Sequence, residues 1–526
     1  MDDEIVDIVI VGAGATGLAF AWRLASRQPD LRIKIIERGD FVDQRNAPSL
    51  HSDWELALLR RFHANPNIRK NVADYPVDDE NTPIKPAFFN AVGGSTIRWG
   101  AHFPRFRPSD FCAKSQDGVA LDWPIGYDDL DDYMDINDQM MGVSGLAGDP
   151  ANPPRATRPH PPLGLCDGSH KLAHAANDLG WHWWPADAAI LSSDRADDRQ
   201  ACNNCGPCAM GCPRHARASA DIAYLKDVLA LGIELETRAV VRLIEVKNAN
   251  VQALEIIDKD GRKRRIICSE LVLAGNAMST NILLQSAEGW HNPSLGHGLM
   301  LHPTAIVTGV FAEDLRSYAG PFATSLISQE FYETDPDRDF VRGFQLQALR
   351  GQGPLSTALG GYGKSIPWGA DHAAVIKRNF GRSMSLTVTC EDLPEDINSI
   401  KIDPDKRDQF DMPVARMSYR VGQNTLKMRS FGIKKASEWL QQAGAERMII
   451  TELSEQAGFH LMGTASMGRA DDGCVTGDDG RVHGLENTTI IDASVFVTAS
   501  PVNPTSTLQA LALRAADLMC LRLAQA

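Results

Sequence analysis

The 526-residue chain has no excess of basic charge. It carries 53 Lys and Arg against 67 Asp and Glu, a net charge of −14, with no basic run and no aromatic–basic array. That excludes the electrostatic footprint of non-specific nucleic-acid binding. No apolar stretch reaches the roughly 20 residues of a membrane-spanning helix. The first residues, Met1-Asp2-Asp3-Glu4, are acidic and lead at once into an apolar strand, which leaves no room for the basic and apolar regions of a signal peptide. The expectation is therefore export to the periplasm together with a signal-bearing partner, or residence in the cytoplasm. Ten cysteines are too few for a disulfide scaffold of this length. Six of them, Cys112, Cys166, Cys268, Cys390, Cys474 and Cys520, are scattered and read as buried apolar residues. The length exceeds what one core fills, so two domains are expected.

Near the N-terminus a strand-like run, Asp7–Val11, enters Gly12-Ala13-Gly14-Ala15-Thr16-Gly17, and a helical pattern follows from Leu18 to Leu24. In such a motif Gly12 permits the tight turn. Gly14 lets the backbone approach a pyrophosphate, and Gly17 lets helix and strand pack closely, with the helix N-terminus facing the phosphates. A second strand, Ile33–Ile36, ends at Glu37-Arg38. An acidic residue at that tip accepts hydrogen bonds from ribose hydroxyls and repels a 2′-phosphate. The ligand is an adenine dinucleotide, FAD or NAD.

Further along, Val92-Gly93-Gly94-Ser95 suits a loop whose main chain lies against a flat ring, or a plain glycine turn. The segment Gly148–Pro162 reads as a proline-rich surface loop. Cys202, Cys205, Cys208 and Cys212 form C-x₂-C-x₂-C-x₃-C-P, the run found in bacterial ferredoxins. An iron–sulfur cluster is the first reading, with a structural zinc site and reduced structural thiols as alternatives. A helix is expected over Ala220–Leu231 and strands over Ile233–Leu235, Val240–Ile244 (with Val241 inside) and Ala253–Ile257, with Asp260-Gly261 as a hairpin turn. A buried strand, Leu271–Ala274, then meets a helix and returns the chain to the dinucleotide domain. The region from about Thr304 to Arg447 is β-rich and reads as a second, substrate-side domain. Near the C-terminus His460 precedes Gly463-Thr464, a strand leads to Asp492-Ala493-Ser494, and Asn503-Pro504-Thr505 opens an alanine- and leucine-rich helix. Its N-terminus suits the negative charge of a reduced flavin.

In order and spacing these segments resemble the glucose–methanol–choline (GMC) oxidoreductase family. The resemblance also covers Leu301-His302-Pro303, Glu391-Asp392-Leu393-Pro394, Asn398 and Asp403. It implies an α/β fold: a Rossmann-type FAD-binding domain plus an α+β substrate domain with a mostly antiparallel sheet. The FAD-binding domain would comprise residues 1–110, 200–303 and 448–526, including the cysteine loop 202–213. Residues 111–199 and 304–447 would form the substrate domain and cover. Within the family, Asp122-Trp123-Pro124-Ile125 and the cysteine run are most similar to the bacterial sugar dehydrogenase branch, which includes catalytic subunits of glucose, fructose, gluconate and glucoside 3-dehydrogenases. In the glucose dehydrogenase member three cysteines hold a 3Fe–4S cluster. They match Cys202, Cys208 and Cys212 and leave Cys205 extra, so the cluster implied here is 3Fe–4S or 4Fe–4S.

The resemblance implies an FAD-dependent dehydrogenase that oxidises a hydroxyl of a sugar or glycoside and passes electrons through the cluster to an external acceptor, such as cytochrome c. A small signal-bearing subunit is the expected companion. His460 would be the general base and Asn503 would bind the same substrate oxygen. FAD would be held by Gly12, Gly14, Thr16, Gly17, Glu37, Arg38, Gly93, Gly94, Ser95, Val241, Ala274, Asp492, Ala493, Asn503 and Thr505. Relatives that bind flavin covalently use a histidine at the position of Arg98. Guanidinium cannot serve as that nucleophile, so FAD is expected to be non-covalent, with His102 as the only nearby imidazole able to replace it. Two other classes remain: an oxidase using oxygen directly with a structural metal site, and a non-catalytic flavoprotein subunit.

Overall fold

The strand that carries the glycine motif, Glu4–Val11, lies inside a seven-stranded sheet. The computed structural model describes residues 3–360 and 368–525, so Met1 and Asp2 of the acidic N-terminus lie outside the described residues. Along the sheet, Glu234–Thr237, Ile33–Glu37, Glu4–Val11 and Lys263–Leu273 run parallel to one another. Asn250–Ile257 and Val240–Lys247 continue it as an antiparallel meander. The long strand Lys263–Leu273 divides its outer edge. Its first half pairs with the meander, and Leu271–Leu273 pairs in parallel with Thr488–Ile490 from the far end of the chain. Parallel strands buried on both faces read as unbroken apolar runs. Accordingly, Ile8 and Ile10 join the core beneath helices Ala15–Arg27 and Thr505–Leu523, while Val9 and Val11 join the core of the opposite face with Ile282 and Leu283. The two covering helices are pinned by Arg23, whose Nε and Nη2 donate to Asp517 at 2.8 and 2.7 Å.

The second sheet has six antiparallel strands in the order Arg447–Thr451, Thr304–Val310, Ser383–Cys390, Phe344–Leu349, Leu326–Ser328, Trp184–Pro185. With period two, Phe344, Leu346, Ala348, Met384, Leu386, Val388, Ala305 and Val307 form one apolar face. Helix Gln423–Gln442 covers it, and Gly432 sets the distance: a Cβ there would stand 2.3 Å from Val388 Cγ1. The opposite face is polar and equally buried, with Gln345, Gln347, Thr387, Thr389, Ser385, Thr304 and Thr308. A third sheet joins Ser399–Arg407, Pro413–Ser418 and Val77–Asn81.

The expected α/β architecture is present. Three local expectations differ. The helix expected over Ala220–Leu231 breaks at Tyr224 into Ala220–Ala223 and Leu225–Ala230. Tyr224 is fully buried, and its hydroxyl donates to Asn137 Oδ1 at 2.6 Å. The β-rich region contains the 20-residue helix Gln423–Gln442. Of the six scattered cysteines, Cys268, Cys390, Cys474 and Cys520 are buried, Cys166 is half-buried, and Cys112 is exposed beside a short surface helix, Ala113–Asp117.

Candidate functional site

At the C-terminal end of Glu4–Val11 the chain makes a cradle of bare backbone. Gly12 has φ +108°, and a Cβ on it would stand 2.6 Å from the Ala274 carbonyl oxygen. A Cβ on Gly17 would lie 1.9 Å from Gly12 O. The Gly93-Gly94 turn lies directly on this loop. Gly93 N–H donates to Ala13 O at 2.7 Å, and a Cβ on Gly94 would come within 2.9 Å of Gly14 Cα. Two glycine segments 80 residues apart thus leave a trough that side chains would fill, as close approach to a pyrophosphate and a ring requires. Thr16 is buried in the first turn of the helix behind it.

Glu37 closes the cradle. Its carboxylate accepts Ala13 N–H at 2.8 Å and Gly39 N–H at 2.7 Å. Burial raises its pKa against the pull of those two donors. Each oxygen keeps a second lone pair for a ribose hydroxyl. Ala239 N–H and Arg238 N–H bind the carbonyls of Glu37 and Gly39 at 3.1 and 2.9 Å, which sets the strand containing buried Val241 beside this tip. Two other side chains of the expected set are engaged within the protein. Arg38 donates to Ala73 O and to Asp408, both at 2.9 Å, over the rings of Tyr75 and Phe410. Ser95 Oγ accepts Phe89 N–H at 3.1 Å. Arg98 has no ion-pair partner among the described residues, and its Nε is buried without a hydrogen bond. Burial, with Arg69 nearby, lowers its pKa to about 10.

His460 and Asn503 meet, with Asn503 Nδ2 3.4 Å from His460 Nε2. Behind His460 stands His302, whose Nδ1 lies 2.7 Å from His460 Nδ1. His302 is held in turn by its Nε2, 2.7 Å from Ser500 O. A carbonyl only accepts, so His302 carries its proton on Nε2 and offers a lone pair at Nδ1. His460 must then carry its proton on Nδ1, which leaves the Nε2 lone pair facing Asn503. Hydrogen-bond direction fixes these tautomers. Burial lowers the pKa of His302 to about 4, and burial together with His302 and His102 holds His460 well below the usual imidazole range. The pair is neutral at physiological pH.

The local chain is built for this contact. Met300 and Met462 exchange backbone hydrogen bonds at 2.9 and 3.1 Å. Gly463, at φ +94°, allows the close approach, since a Cβ there would lie 2.1 Å from Gly298 O. Leu301 N–H donates to buried Asp392, which also accepts Tyr419 Oη at 2.6 Å and has its pKa pushed up to about 7 by burial. Ser500 adopts φ +56°, a strained geometry for a non-glycine residue, and turns its carbonyl to His302. Asp492 accepts Ser494 N–H and Oγ–H at 3.0 and 2.5 Å and the Thr280 hydroxyl, so its carboxylate is fully engaged within the fold. Ala493 O accepts Gly463 N–H at 3.1 Å. Thr505 begins the last helix, whose first turn has no side-chain cap.

Cys202, Cys205, Cys208 and Cys212 share one loop, with Cys205 exposed and the others half-buried. Backbone N–H groups of Asn204 and Arg217 point at the sulfurs of Cys202 and Cys212, each at 3.4 Å. Arg217, fully buried, links this loop to the cradle by donating to Thr96 O at 2.6 Å and Ile97 O at 2.9 Å. Among the described residues, no three or more His, Cys, Asp or Glu side chains converge as a metal site. The four thiols therefore stand together in sequence without closing on a common centre.

The expected site set omits His302 as a functional group, and omits the polar sheet face altogether. Its signal is present in the sequence: Gln345/Gln347 and Thr387/Thr389 recur two apart, and Thr304/Thr308 four apart on the same face, inside otherwise apolar strands.

Two family models, both described as GMC oxidoreductase, match residues 6–304 and 394–512. The 2-methyl-1,2-propanediol dehydrogenase of Mycolicibacterium austroafricanum is 33% identical, over 98% of this chain and 95% of its own. The fructose dehydrogenase large subunit of Gluconobacter japonicus is 26% identical over 97% of each chain. Among solved structures, pyridoxine 4-oxidase from Mesorbium loti shares the fold with a TM-score of 0.68 at 16% identity, covering 98% of this chain and 99% of that one.

Proposed function

The chain belongs to the GMC oxidoreductase family, and from that premise we propose that it is an FAD-dependent dehydrogenase oxidising a hydroxyl of a sugar or glycoside to a carbonyl, with an external electron acceptor. The observation that carries the substrate class is the buried polar face of the six-stranded sheet. Its rows Gln345–Thr389–Thr304 and Gln347–Thr387 run up to the catalytic histidines, Thr304 Oγ1 donating to His302 O at 2.8 Å. These groups already pair within the protein, Gln347 Nε2 with Ala323 O at 2.5 Å and the Thr308 and Ser385 hydroxyls with each other at 2.8 Å. Hydroxyl and amide oxygens keep spare lone pairs, so a polyhydroxylated ring adds hydrogen bonds to this wall where an apolar alcohol adds none.

The glycine cradle, the Glu37 tip and the unpartnered Oδ1 of Asn503 fit an FAD. When bound, FAD supplies the hydride acceptor. The protein's own part is positional and protonic. Asn503 Nδ2–H donates to the substrate oxygen. His460 Nε2 takes the hydroxyl proton, and His302 holds His460 in the tautomer that can do so. FAD would be retained without a covalent bond, since Arg98 offers no nucleophile. After acid precipitation the flavin is expected in the supernatant, and flavin fixed to a peptide spanning Ala91–Arg105 would overturn this.

The same reading assigns an iron–sulfur centre, 3Fe–4S or 4Fe–4S, to Cys202, Cys205, Cys208 and Cys212. The donor set and the N–H groups aimed at two of the sulfurs suit it, although the thiols are not drawn together. It would supply one-electron transfer toward an acceptor such as cytochrome c. Anaerobically purified protein should contain iron and acid-labile sulfide. Cys208→Ser should leave flavin reduction largely intact and slow transfer to a large acceptor. Stoichiometric zinc without iron would move the protein to the oxidase reading. The fructose dehydrogenase relative is named as a large subunit, which supports a companion subunit. That this companion is small and signal-bearing, with co-export to the periplasm, belongs to the same proposal. Recovery of an active lone chain solely from the cytosol counts against both.

A second reading is favoured by the 33% identical relative, whose name specifies a small branched diol. Anaerobic mixing with sugars, glycosides, small diols and mono-alcohols decides between them. Fastest flavin bleaching by sugars or glycosides supports the proposal, and bleaching by small diols alone replaces it. Peroxide formed in air in preference to dye or quinone reduction would indicate an oxidase.

A further inference from the structure

A third histidine stands close enough to His460 to act on its charge, with a ring nitrogen to spare. His102 is 2% exposed, and its Nδ1 is buried without a hydrogen-bond partner. Its other nitrogen, Nε2, lies 3.1 Å from the side-chain amide of Gln345 on the polar sheet face. The direction of that bond follows from a chain of amides that ends on a guanidinium. Arg107 Nη2 only donates, at 2.8 Å to Gln329 Oε1, and Asn152 Nδ2 donates to the same oxygen at 3.0 Å. Gln329 must then present its NH₂, which donates to Gln345 Oε1 at 3.3 Å. Gln345 in turn presents its NH₂ to His102. His102 Nε2 is therefore the acceptor, and its proton sits on Nδ1. That is a buried donor without a hydrogen bond of good geometry, since the nearby Asp187 carbonyl already accepts Phe103 N–H at 2.9 Å.

The two histidines belong to one connected network of side chains. Arg107 lies over the Tyr332 ring at 3.9 Å, Tyr332 Oη is 2.9 Å from Ser500 Oγ, and Ser500 O holds His302, which holds His460. Across the sheet, Gln345, Thr389 and Thr304 form one row, so His102 stands at one end and His302 at the other. Two opposed relays thus finish in complementary groups. From Ser500 the relay ends in the lone pair of His460 Nε2, and from Arg107 it ends in the N–H of His102 Nδ1. A proton on His102 would oppose one on His460, and burial lowers the pKa of His102 itself to about 4, so both rings are neutral.

We propose that His102 Nδ1–H is a second recognition point of the substrate site, donating to a hydroxyl oxygen near the one being oxidised, so that the enzyme selects diols and polyols over the matching mono-alcohols. The assignment rests on the dehydrogenase reading above and adds to it a specificity residue and a polarity: the second substrate group must accept a hydrogen bond.

The test compares anaerobic flavin reduction by 1,2-propanediol and 1-propanol, and by a methyl glucoside with its monodeoxy and deoxyfluoro analogues. In the wild type the dihydroxy member should be favoured by about 10- to 100-fold, because the analogue lacking the hydroxyl leaves one buried donor unpaired. In His102→Ala the dihydroxy substrate should lose far more rate than 1-propanol, so that the ratio falls to within a few-fold, and His102→Asn should recover part of it. With the wild type alone, at one glycoside position the deoxyfluoro compound, which accepts but cannot donate, should bind more tightly than the deoxy compound. Equal losses for diol and mono-alcohol in both variants would place His102 against the cofactor or in the fold and overturn the proposal, as would deoxyfluoro and deoxy glycosides binding alike at every position. Wild-type protein that no hydroxyl compound reduces would remove the dehydrogenase reading itself.

Discussion

His460→Ala should lower the rate of flavin reduction by substrate by about 10²–10⁴-fold, the usual contribution of a positioned general base, while FAD stays bound. The expectation rests on one lone pair. Ser500 O fixes the proton of His302 on Nε2, His302 fixes the proton of His460 on Nδ1, and His460 Nε2 alone is left to take a hydroxyl proton beside Asn503. Because enclosure and the neighbouring imidazoles hold the pKa of His460 well below 6.5, the base stays unprotonated through the neutral range, so the acid limb of the rate profile should fall below pH 6.5. FAD retention follows from distance in the chain and in space, since the cradle is built from Gly12, Gly17, Gly94 and Glu37. Asn503→Ala should reduce the rate less, because it removes an orienting donor and leaves the base. Stopped-flow reduction at near wild-type speed in the histidine variant would take His460 out of the mechanism, and a harmless Asn503→Ala would break the pairing.

Much of this site is readable from the chain because its chemistry is local. The turn at Gly12, the approach of Gly14 and the acidic tip at Glu37 follow from spacing within some 30 residues, and the structure brings them together with the Gly93-Gly94 loop. The cysteine run is just as local, yet a run fixes only which sulfurs share a loop and not whether they converge. What sequence spacing does not give is the partner of His460. His302 lies 158 residues away and arrives only because Gly463 lets two segments touch. The polar sheet face has a readable period but no readable destination: glutamines and threonines alternating in a strand signal a solvated face as often as a lined chamber. Here the decisive fact is burial, which comes from how the other elements pack. The unpaired state of His102 is likewise a property of the assembled chamber, since only the full amide chain back to Arg107 determines which nitrogen is left over.

The wall that supports this chamber depends on one buried cation. Arg342, 1% exposed, donates to Asp110 at 2.8 Å, to Asp117 at 2.8 Å and to Glu391 at 3.0 Å, so one guanidinium holds three carboxylates from separate segments. Asp110 also accepts Tyr332 Oη at 2.6 Å, and Tyr332 reaches Ser500, so the knot is two contacts from the carbonyl that orients His302. Arg342→Met fills similar volume but leaves the acids unpaired, and should destabilise the protein by about 3–5 kcal/mol near pH 8. The loss should depend on pH with a definite sign. Burial already raises Asp110 and lifts Glu391 to about 7 even with the cation in place. A carboxyl whose folded pKa lies above its unfolded value of about 4.3 binds its proton more tightly when folded, so stability is greatest at low pH and falls as pH rises through that window. Removing Arg342 raises those folded values further and extends the fall to higher pH. Urea unfolding of both proteins from pH 5 to 8 should therefore show a gap that narrows toward pH 5, where protonated carboxyls need no counter-charge. Flavin reduction in the variant should fall too, since Tyr332 and Ser500 lose their anchor. A gap that is constant across pH, or smaller than about 1 kcal/mol at pH 8, would mean that the three acids are held by something other than Arg342.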